Sequence, residues 1–203
     1  MQEPKQERSR RTLASLLTAA EELLEEQGLE GTTVPAIAER AGVSVGVVYR
    51  RFPDKDALLR MVYERFFAEM SNKNAANLSA VAERKIPLAD LARGIVVGMV
   101  HGYRRRRGML RALTHYARTH RDAKFRKTAI KLNRQSTDRI AKLLLTHRKE
   151  IAHPDPKAAI EFGLLAVVSV ARQVLIEEES LYPISPKNLE EELVRMFFGY
   201  LGI

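Results

Sequence analysis

Residues 32–55, which read TTVPAIAERAGVSVGVVYRRFPDK, decide how the first part of this chain folds. Ile37, Ala38 and Ala41 give one short helix an apolar face with small residues, so that a second short helix can pack close against it. Gly42 breaks the first of these helices, because glycine adopts a positive φ angle without strain. The stretch therefore predicts two short helices joined by a tight turn, the arrangement called a helix-turn-helix.

The helix starts are marked by residues that can cap free backbone N–H groups. Thr33, Ser44 and Asp54 each stand where a side-chain oxygen can accept a hydrogen bond from the first turn of a helix. Pro35 would lie in the first turn after Thr33, where its missing N–H costs nothing. These positions predict a helix after each of the three caps.

The second short helix has two unlike faces. Val48 and Phe52 return to the core, and the opposite face, which is left to point outward, consists of Val45, Gly46, Val47, Tyr49 and Arg50. Such a face is unusual for a helix in water. It suits a helix in the DNA major groove, where valine methyls can meet thymine methyls and a glycine permits close approach. The alternative is an ordinary helical hairpin in which Tyr49 is a half-buried core aromatic.

Residues 9–60 combine features shared by the TetR family of transcriptional repressors, and the chain resembles that family. These features are a two-threonine helix start, an Ala-Gly-Val-Ser turn, a Gly-x-x-Tyr-x-x-Phe recognition helix, and a lysine followed by leucines. In this sequence they are Thr32-Thr33, Ala41 to Ser44, Gly46 with Tyr49 and Phe52, and Lys55 with Leu58-Leu59. The resemblance implies a homodimer on a palindromic operator in double-stranded DNA, released by a small-molecule effector.

The resemblance also implies which residues contact DNA. Thr33, Tyr49 and Lys55 would bind phosphates, and Arg51 stands where the family usually has a histidine next to a phosphate. Arginine can bind that phosphate with a permanent charge. The remaining DNA-binding candidates are Ser44, Val45, Gly46, Val47 and Arg50.

The positive charge of the chain lies outside its predicted DNA-binding segment. The formal net charge is +9, yet residues 1–60 hold 9 Lys and Arg against 10 Asp and Glu. Residues 101–149 hold 16 basic against 2 acidic residues. Net charge alone therefore says little about nucleic acid here. The run Arg104–Arg107 has three interpretations: a solvated helix end, a second phosphate patch or an anion site.

Helical periodicity extends over almost the whole sequence, so the predicted fold is all-α. The first helix places leucines at i, i+3 and i+4, with glutamates on its other faces and Gly28 as its C-terminal stop. Longer helices are predicted at residues 55–78, 88–106, 109–119, 123–150, 156–178 and 186–200. We expect an N-terminal three-helix DNA-binding domain, residues 1–54, and a larger helical domain for effector binding and dimerisation, residues 55–203.

The segment from Ala158 to Ile176 is apolar nearly all round, and a helix of that kind must be covered on every side. The resemblance implies that the last two long helices of each subunit form a four-helix bundle in the dimer. The predicted interface residues are Phe162, Ala166, Val170, Leu193, Phe197 and Tyr200. The alternative is that both helices are buried only within their own subunit.

The resemblance places an effector pocket among the middle helices. Its candidate lining is Phe66, Met70, Met99, Tyr103, Leu110, Arg111, Leu113, His115, Tyr116 and Arg118. Arg111, His115 and Arg118 follow the spacing i, i+4 and i+7, which places them on one helix face. A cation that faces a cavity needs an anion, so these cations either face water or await an acidic, apolar ligand such as a fatty acyl compound. A neutral or cationic ligand is the competing expectation.

Several classes of function lack support in the sequence. Cysteine is absent, which leaves no thiol nucleophile, thiolate metal site or disulfide and suits a reducing cytoplasm. No histidine lies in a metal-ligand or nucleophile motif, so we expect no enzyme, metal or cofactor. Glu161 and Arg172 lie inside the longest apolar run, where a bilayer would have to accept both charges, so we expect no membrane span. The alternative to an operator-specific regulator is an architectural protein that coats DNA without sequence preference.

Overall fold

The computed structural model describes residues 5–82, 86–119, 123–177 and 188–203. These residues form α-helices and one 3-10 helix, with no strand among them, which confirms the all-α prediction. The helices are α1 (Lys5–Gly31), α2 (Val34–Arg40), α3 (Val45–Tyr49), α4 (Lys55–Ala82), α5 (Leu88–Arg105), α6 (Arg107–Thr119), α7 (Ala123–Leu144), the 3-10 helix (Leu145–Glu150), α8 (Pro156–Leu175) and α9 (Leu189–Leu201).

The observed helix ends differ from the predicted ones in ways that have local causes. Gly28 has a φ of 68°, as a C-terminal stop requires, yet α1 kinks there and continues to Gly31. The helix predicted to end at residue 150 tightens into the 3-10 helix after Leu144, a common way for a helix to end. The predicted ends at 178 and 186 lie outside the described residues.

The chain divides into two compact units that are discontinuous in sequence. The first comprises residues 1–68 and 108–129, and the second comprises residues 69–107 and 130–203. The fully buried residues of the first unit include Leu16 and Leu24 of α1, Ile37 of α2, Val48 of α3, and Leu58 and Tyr63 of α4. The functional boundary after residue 54 stays a prediction, because these units are defined by packing alone.

In the second unit, α5, α8 and α9 pack around a single apolar core. Phe197 of α9 is 0 % exposed and faces Gly163 of α8, where a Cβ would lie 2.6 Å from the ring. Leu193, one turn earlier on the same face, is also buried. The prediction that Leu193 and Phe197 contact a partner subunit is therefore wrong, because both side chains are enclosed by their own chain.

By length and composition, α8 is apolar enough to cross a membrane. One of its faces, which includes Ala159, Ile160, Leu164 and Val167, is buried in the core of the second unit. A core helix of a globular protein has this composition and this environment.

Candidate DNA-binding head and effector helices

The turn between α2 and α3 and two of the three predicted helix caps have the geometry that the sequence predicts. In the turn, Gly42 has a φ of 68°. At the start of α2, Thr33 Oγ1 accepts a hydrogen bond from the Ala36 N–H at 3.2 Å. Asp54 caps α4 in the same way, with 2.7 Å between Oδ1 and the Ala57 nitrogen. Ser44 stands at the N-cap of α3, but the predicted side-chain capping bond is absent. The backbone N–H of Val47, which bonds to the Ser44 carbonyl at 2.9 Å, starts that helix instead.

The outward face of α3 is exposed as predicted. Val48 is buried and returns to the core, as does Phe52 just beyond the helix, whereas Tyr49 is 55 % exposed. Tyr49 is therefore not a core aromatic, which removes the ordinary-hairpin alternative. Val45, Gly46 and Arg50 on the same face are also exposed, and Val47 is half-buried. We call these four residues and Tyr49 the α3 outer face.

Two of the candidate phosphate ligands, Arg51 and Lys55, already bind other groups within the first unit. Arg51 donates to Ser9 Oγ at 3.1 Å, and Lys55 Nζ donates to the Leu29 carbonyl at 3.1 Å near the end of α1. Partial burial lowers the pKa of Lys55, while the neighbouring Asp56 raises it. Because an ammonium group has three N–H donors, Lys55 retains donors for a phosphate after it has bound Leu29.

Two of the glutamates on α1 bind α2. Arg40 Nη2 lies 2.9 Å from Glu26 Oε2, and Nη1 lies 3.2 Å from Glu26 Oε1, so the two side chains form a bidentate pair. The same Nη1 is 3.4 Å from Glu22 Oε2. These hydrogen bonds hold the pKa of Glu26 below its usual range and raise that of Arg40.

A third glutamate of α1 binds α4. Arg65 Nε donates to Glu21 Oε1 at 2.9 Å, and its guanidinium also reaches Thr18 Oγ1 at 3.2 Å and the Ala14 carbonyl at 3.3 Å. Both charged side chains are mostly shielded from water. Arg65 therefore joins the middle of α1 to α4 through several bonds at once.

The fourth glutamate binds the N-terminus of α6. Glu25 Oε1 accepts from the Gly108 N–H at 2.8 Å, and Oε2 accepts from the Met109 N–H at 2.9 Å. Sequence reasoning missed these contacts. It placed the glutamates on the faces of α1 that the leucines leave, but their partners lie 14 to 84 positions away and carry no local signal.

The predicted effector residues are distributed over both units. Met70, Met99 and Tyr103 belong to the second unit, and the others belong to the first. On α6, Leu113 and Tyr116 are buried, Leu110 and Arg111 are half-buried, and His115 and Arg118 are exposed. The exposure of His115 and Arg118 favours the interpretation in which these side chains face water.

An aromatic cluster that sequence reasoning did not identify lies beside these residues in the first unit. The Tyr63 ring centroid lies 5.4 Å from that of Tyr116 and 5.2 Å from that of Phe125. Among the described residues, the buried Tyr63 hydroxyl has no hydrogen-bond partner. Burial raises the pKa of Tyr63, with a further contribution from Tyr116, so the phenol stays neutral. Three separate helices supply the rings, which is why no local pattern reveals the cluster.

An exposed apolar surface covers one side of α8 and α9. Phe162 and Leu165 are 57 % and 60 % exposed, and Met196 and Tyr200 are also exposed. The rings of Phe162 and Tyr200 are in contact, with centroids 5.3 Å apart. We call these four residues the α8–α9 apolar surface. The predicted interface residues Ala166 and Val170 are half-buried.

The arginine run at the end of α5 has at least one internal role. Arg104 forms an ion pair with Glu190 of α9, and His101 Nε2 lies 3.3 Å from the same carboxylate. Part of the run therefore joins two helices of the second unit, a role that none of the three sequence interpretations included.

Two family models match this chain. The model of bacterial regulatory proteins of the tetR family matches residues 16–62, and a tetracyclin repressor-like C-terminal domain matches residues 87–201. The chain belongs to the TetR family. Its relatives are transcriptional regulators rather than enzymes, and the match over residues 16–62 lies in its helix-turn-helix DNA-binding domain.

Similar proteins agree with this assignment. The HTH-type transcriptional regulator BetI of Burkholderia cenocepacia is 36 % identical over 78 residues, which are 38 % of this chain and 39 % of BetI. The match thus spans about two fifths of that curated relative. A structure from Mesorhizobium loti assigned to the TetR family has a TM-score of 0.73 at 22 % identity and covers 96 % of this chain and 97 % of its own. The fatty acid degradation regulator FadR of Bacillus halodurans has a TM-score of 0.66 at 15 % identity, with 100 % and 97 % covered. These two structures show the fold.

The contact between Glu25 and α6 connects the two ranges that the family models match. Glu25 lies in the N-terminal match, whereas Gly108 and Met109 lie in the C-terminal match. Tyr63 lies in neither match, between the two. The Glu25 contact therefore joins a residue of the DNA-binding domain to the first turn of a helix of the C-terminal domain.

Proposed function

We propose that this TetR-family transcriptional regulator is a repressor that binds a palindromic operator as a homodimer and leaves it when a small molecule binds. The observation that carries the proposal is the α3 outer face, an apolar and mostly exposed helix face that follows the tight turn at Gly42. One such short helix contacts few base edges. Two of them, held about 34 to 36 Å apart by two-fold symmetry, would read successive major grooves.

The α8–α9 apolar surface supports the dimer. Its four large apolar side chains are exposed side by side, and two of them, Phe162 and Tyr200, form one aromatic contact. Contiguous exposed apolar surface of this kind marks interaction sites in globular proteins. A second copy of the chain would cover it with the same surface, as two-fold symmetry requires.

The residues around Tyr63 support a mainly apolar effector with one polar group. A buried hydroxyl without a partner costs about 1 to 3 kcal/mol. A ligand that supplied a hydrogen bond there would recover that cost and would be surrounded by aromatic rings. An acidic amphiphile stays the alternative, and it would have to reach His115 or Arg118 on the exposed side of α6.

A thermal-shift screen separates these two effector classes. Acidic, neutral and cationic amphiphiles would be tested on wild type, Tyr63→Phe and Arg118→Ala. We expect Tyr63→Phe to lose the stabilisation produced by active neutral compounds, while Arg118→Ala keeps it. Stabilisation by acids alone, lost in Arg118→Ala, would show the acidic class instead.

The DNA proposal is tested by selection from random-sequence duplexes with the purified protein. We expect enrichment of a palindrome whose half-sites are one helical turn or a multiple apart. If no sequence were enriched and the protein covered DNA diffusely in a salt-sensitive way, the result would support an architectural protein that coats DNA without sequence preference. The proposed location is the cytoplasm, because the DNA that a bacterial regulator binds is there. The absence of cysteine suits that reducing compartment.

A further inference from the structure

We propose that Glu25 is the coupling element through which α6 and the DNA-binding head control each other. This inference rests on the proposed function, because it concerns how operator binding and effector binding communicate. Its core is the bidentate contact of one carboxylate with the Gly108 and Met109 N–H groups, at 2.8 and 2.9 Å.

The chemistry of this contact makes it strong and directional. The first N–H groups of a helix have no partners within the helix, and the N-terminus carries a partial positive charge. A carboxylate that accepts two of these N–H groups combines charge-assisted hydrogen bonds with that partial charge. Glu25 therefore fixes both the position and the direction of the first turn of α6.

Gly108 makes the close approach possible. A Cβ at this position would overlap the main chain of Glu25, where no flexible side chain could move aside. Glycine costs helix stability at an interior position, yet here it lets the backbones of α1 and α6 come into contact. The contact is thus built from both sides, by a glutamate on α1 and by a glycine on α6.

The other glutamates extend the connection from α1 to the reading head. Glu22 and Glu26 bind Arg40 at the end of α2, and α2 packs against α3. A displacement of the first turn of α6 therefore moves Glu25, then α1, and through Arg40 the helix-turn-helix. Helix α6 carries six of the ten candidate effector residues, so a ligand that contacts them acts on one end of this connection.

Thermodynamic linkage allows the connection to be tested from the DNA side, without knowing the effector. If the head and α6 are coupled, operator binding must alter α6 as effector binding alters the head. Hydrogen exchange measured by mass spectrometry on peptides from 108–119, with and without the duplex obtained by selection, reports this effect. The variant is Glu25→Gln, which keeps the shape but replaces one acceptor with an amide donor. The matched control is Glu30→Gln, an exposed glutamate on the same helix.

We expect the operator to slow exchange in these peptides by about 5-fold or more in wild type and Glu30→Gln, the lower end of typical coupling. In Glu25→Gln the effect should fall below about twofold, while operator protection of the α3 peptide persists. Gly108→Ala, which leaves Glu25 intact but separates the backbones, should show the same loss. Far-ultraviolet circular dichroism would confirm that each variant folds.

The outcomes distinguish the failure of each proposal. If no duplex is selected, the proposed DNA function fails. If the operator binds but does not slow α6 exchange in wild type, or if Glu25→Gln and Gly108→Ala keep the full effect, the coupling role of Glu25 is overturned. In that case Glu25 is a helix cap and nothing more.

Discussion

Glu21, Glu22, Glu25 and Glu26 occupy less than two turns of α1, and their partners come from three other helices. In the sequence, this run indicates only a polar helix face, because exposed glutamates and glutamates with distant partners look alike. The packing of α2, α4 and α6 onto α1 gives them their roles. At the residue scale, the sequence predicts the polar face but not its pairings.

The Arg40–Glu26 pair makes a prediction about pH. Because Arg40 holds the pKa of Glu26 low in the folded state, the stabilisation is present above the unfolded pKa, about 4.5. It is lost as the pH falls through the lower folded value. We expect Arg40→Met to be less stable than wild type at about pH 7, with a difference that shrinks towards about pH 3. Urea unfolding at several pH values measures the free energy of unfolding of each protein, with Arg195→Met as the control. A difference between wild type and Arg40→Met that stayed constant between about pH 7 and about pH 3 would contradict the pairing.

The α3 outer face and its flanks predict two kinds of DNA-binding defect. Tyr49→Phe and Lys55→Ala should weaken binding to operator and to other DNA alike, since both side chains are proposed phosphate ligands, whereas Val45→Ala should mainly relax base preference. Lys55→Ala should also lower the salt dependence, by about 0.9 in the slope of log K against log salt. Titrations at several salt concentrations test both. If the slope did not change, Lys55 would not be a phosphate ligand, and its role would be the hydrogen bond to the Leu29 carbonyl.

Among the helices, α3 contains a position, Gly46, at which one substitution should change stability and operator affinity in opposite directions. Gly46 is helical, and a Cβ there would have Ser44 Oγ at 3.9 Å as its nearest neighbour. Gly46→Ala should therefore raise the free energy of unfolding, by up to about 1 kcal/mol, because alanine is the better helix former. Operator affinity should nevertheless fall, since the added methyl occupies the space that the DNA needs.

Gly42→Ala is the matched control for Gly46→Ala. Its φ of 68° costs a side chain about 1 to 2 kcal/mol, so this variant should be destabilised. Unfolding curves and operator titrations on the same samples give both quantities. A Gly46→Ala protein with full operator affinity would show that α3 does not approach DNA closely at that position.

The helices themselves could be predicted because their signals are local. Thr33 and Asp54 cap as expected, Gly42 has the expected φ, and Val48 and Phe52 are buried. Which face of a uniformly apolar helix points inward is not a local property. Nor is it a local property which of two helices covers an apolar residue such as Phe197, which lies in the core although the sequence predicted it at the interface. The Tyr63 cluster was missed because its rings come from three separate helices.

At the scale of the whole molecule, the corrected interface predicts opposite results for two aspartate substitutions. Leu165→Asp places a charge on the α8–α9 apolar surface and should give a folded monomer that binds operator poorly. Phe197→Asp buries a charge in the core of the second unit and should reduce folding itself. Light scattering and circular dichroism distinguish the two. A Leu165→Asp protein that remained dimeric with full operator affinity would place the interface elsewhere.

We propose that two copies of α3 read two half-sites at a fixed spacing, and footprinting on the selected duplex tests this proposal. We expect two protected half-sites related by two-fold symmetry. Insertion of about five base pairs, half a helical turn, between them should abolish specific binding, because the second half-site then faces the other side of the duplex. Retention of full affinity after this insertion, or uniform protection along the duplex, would contradict it.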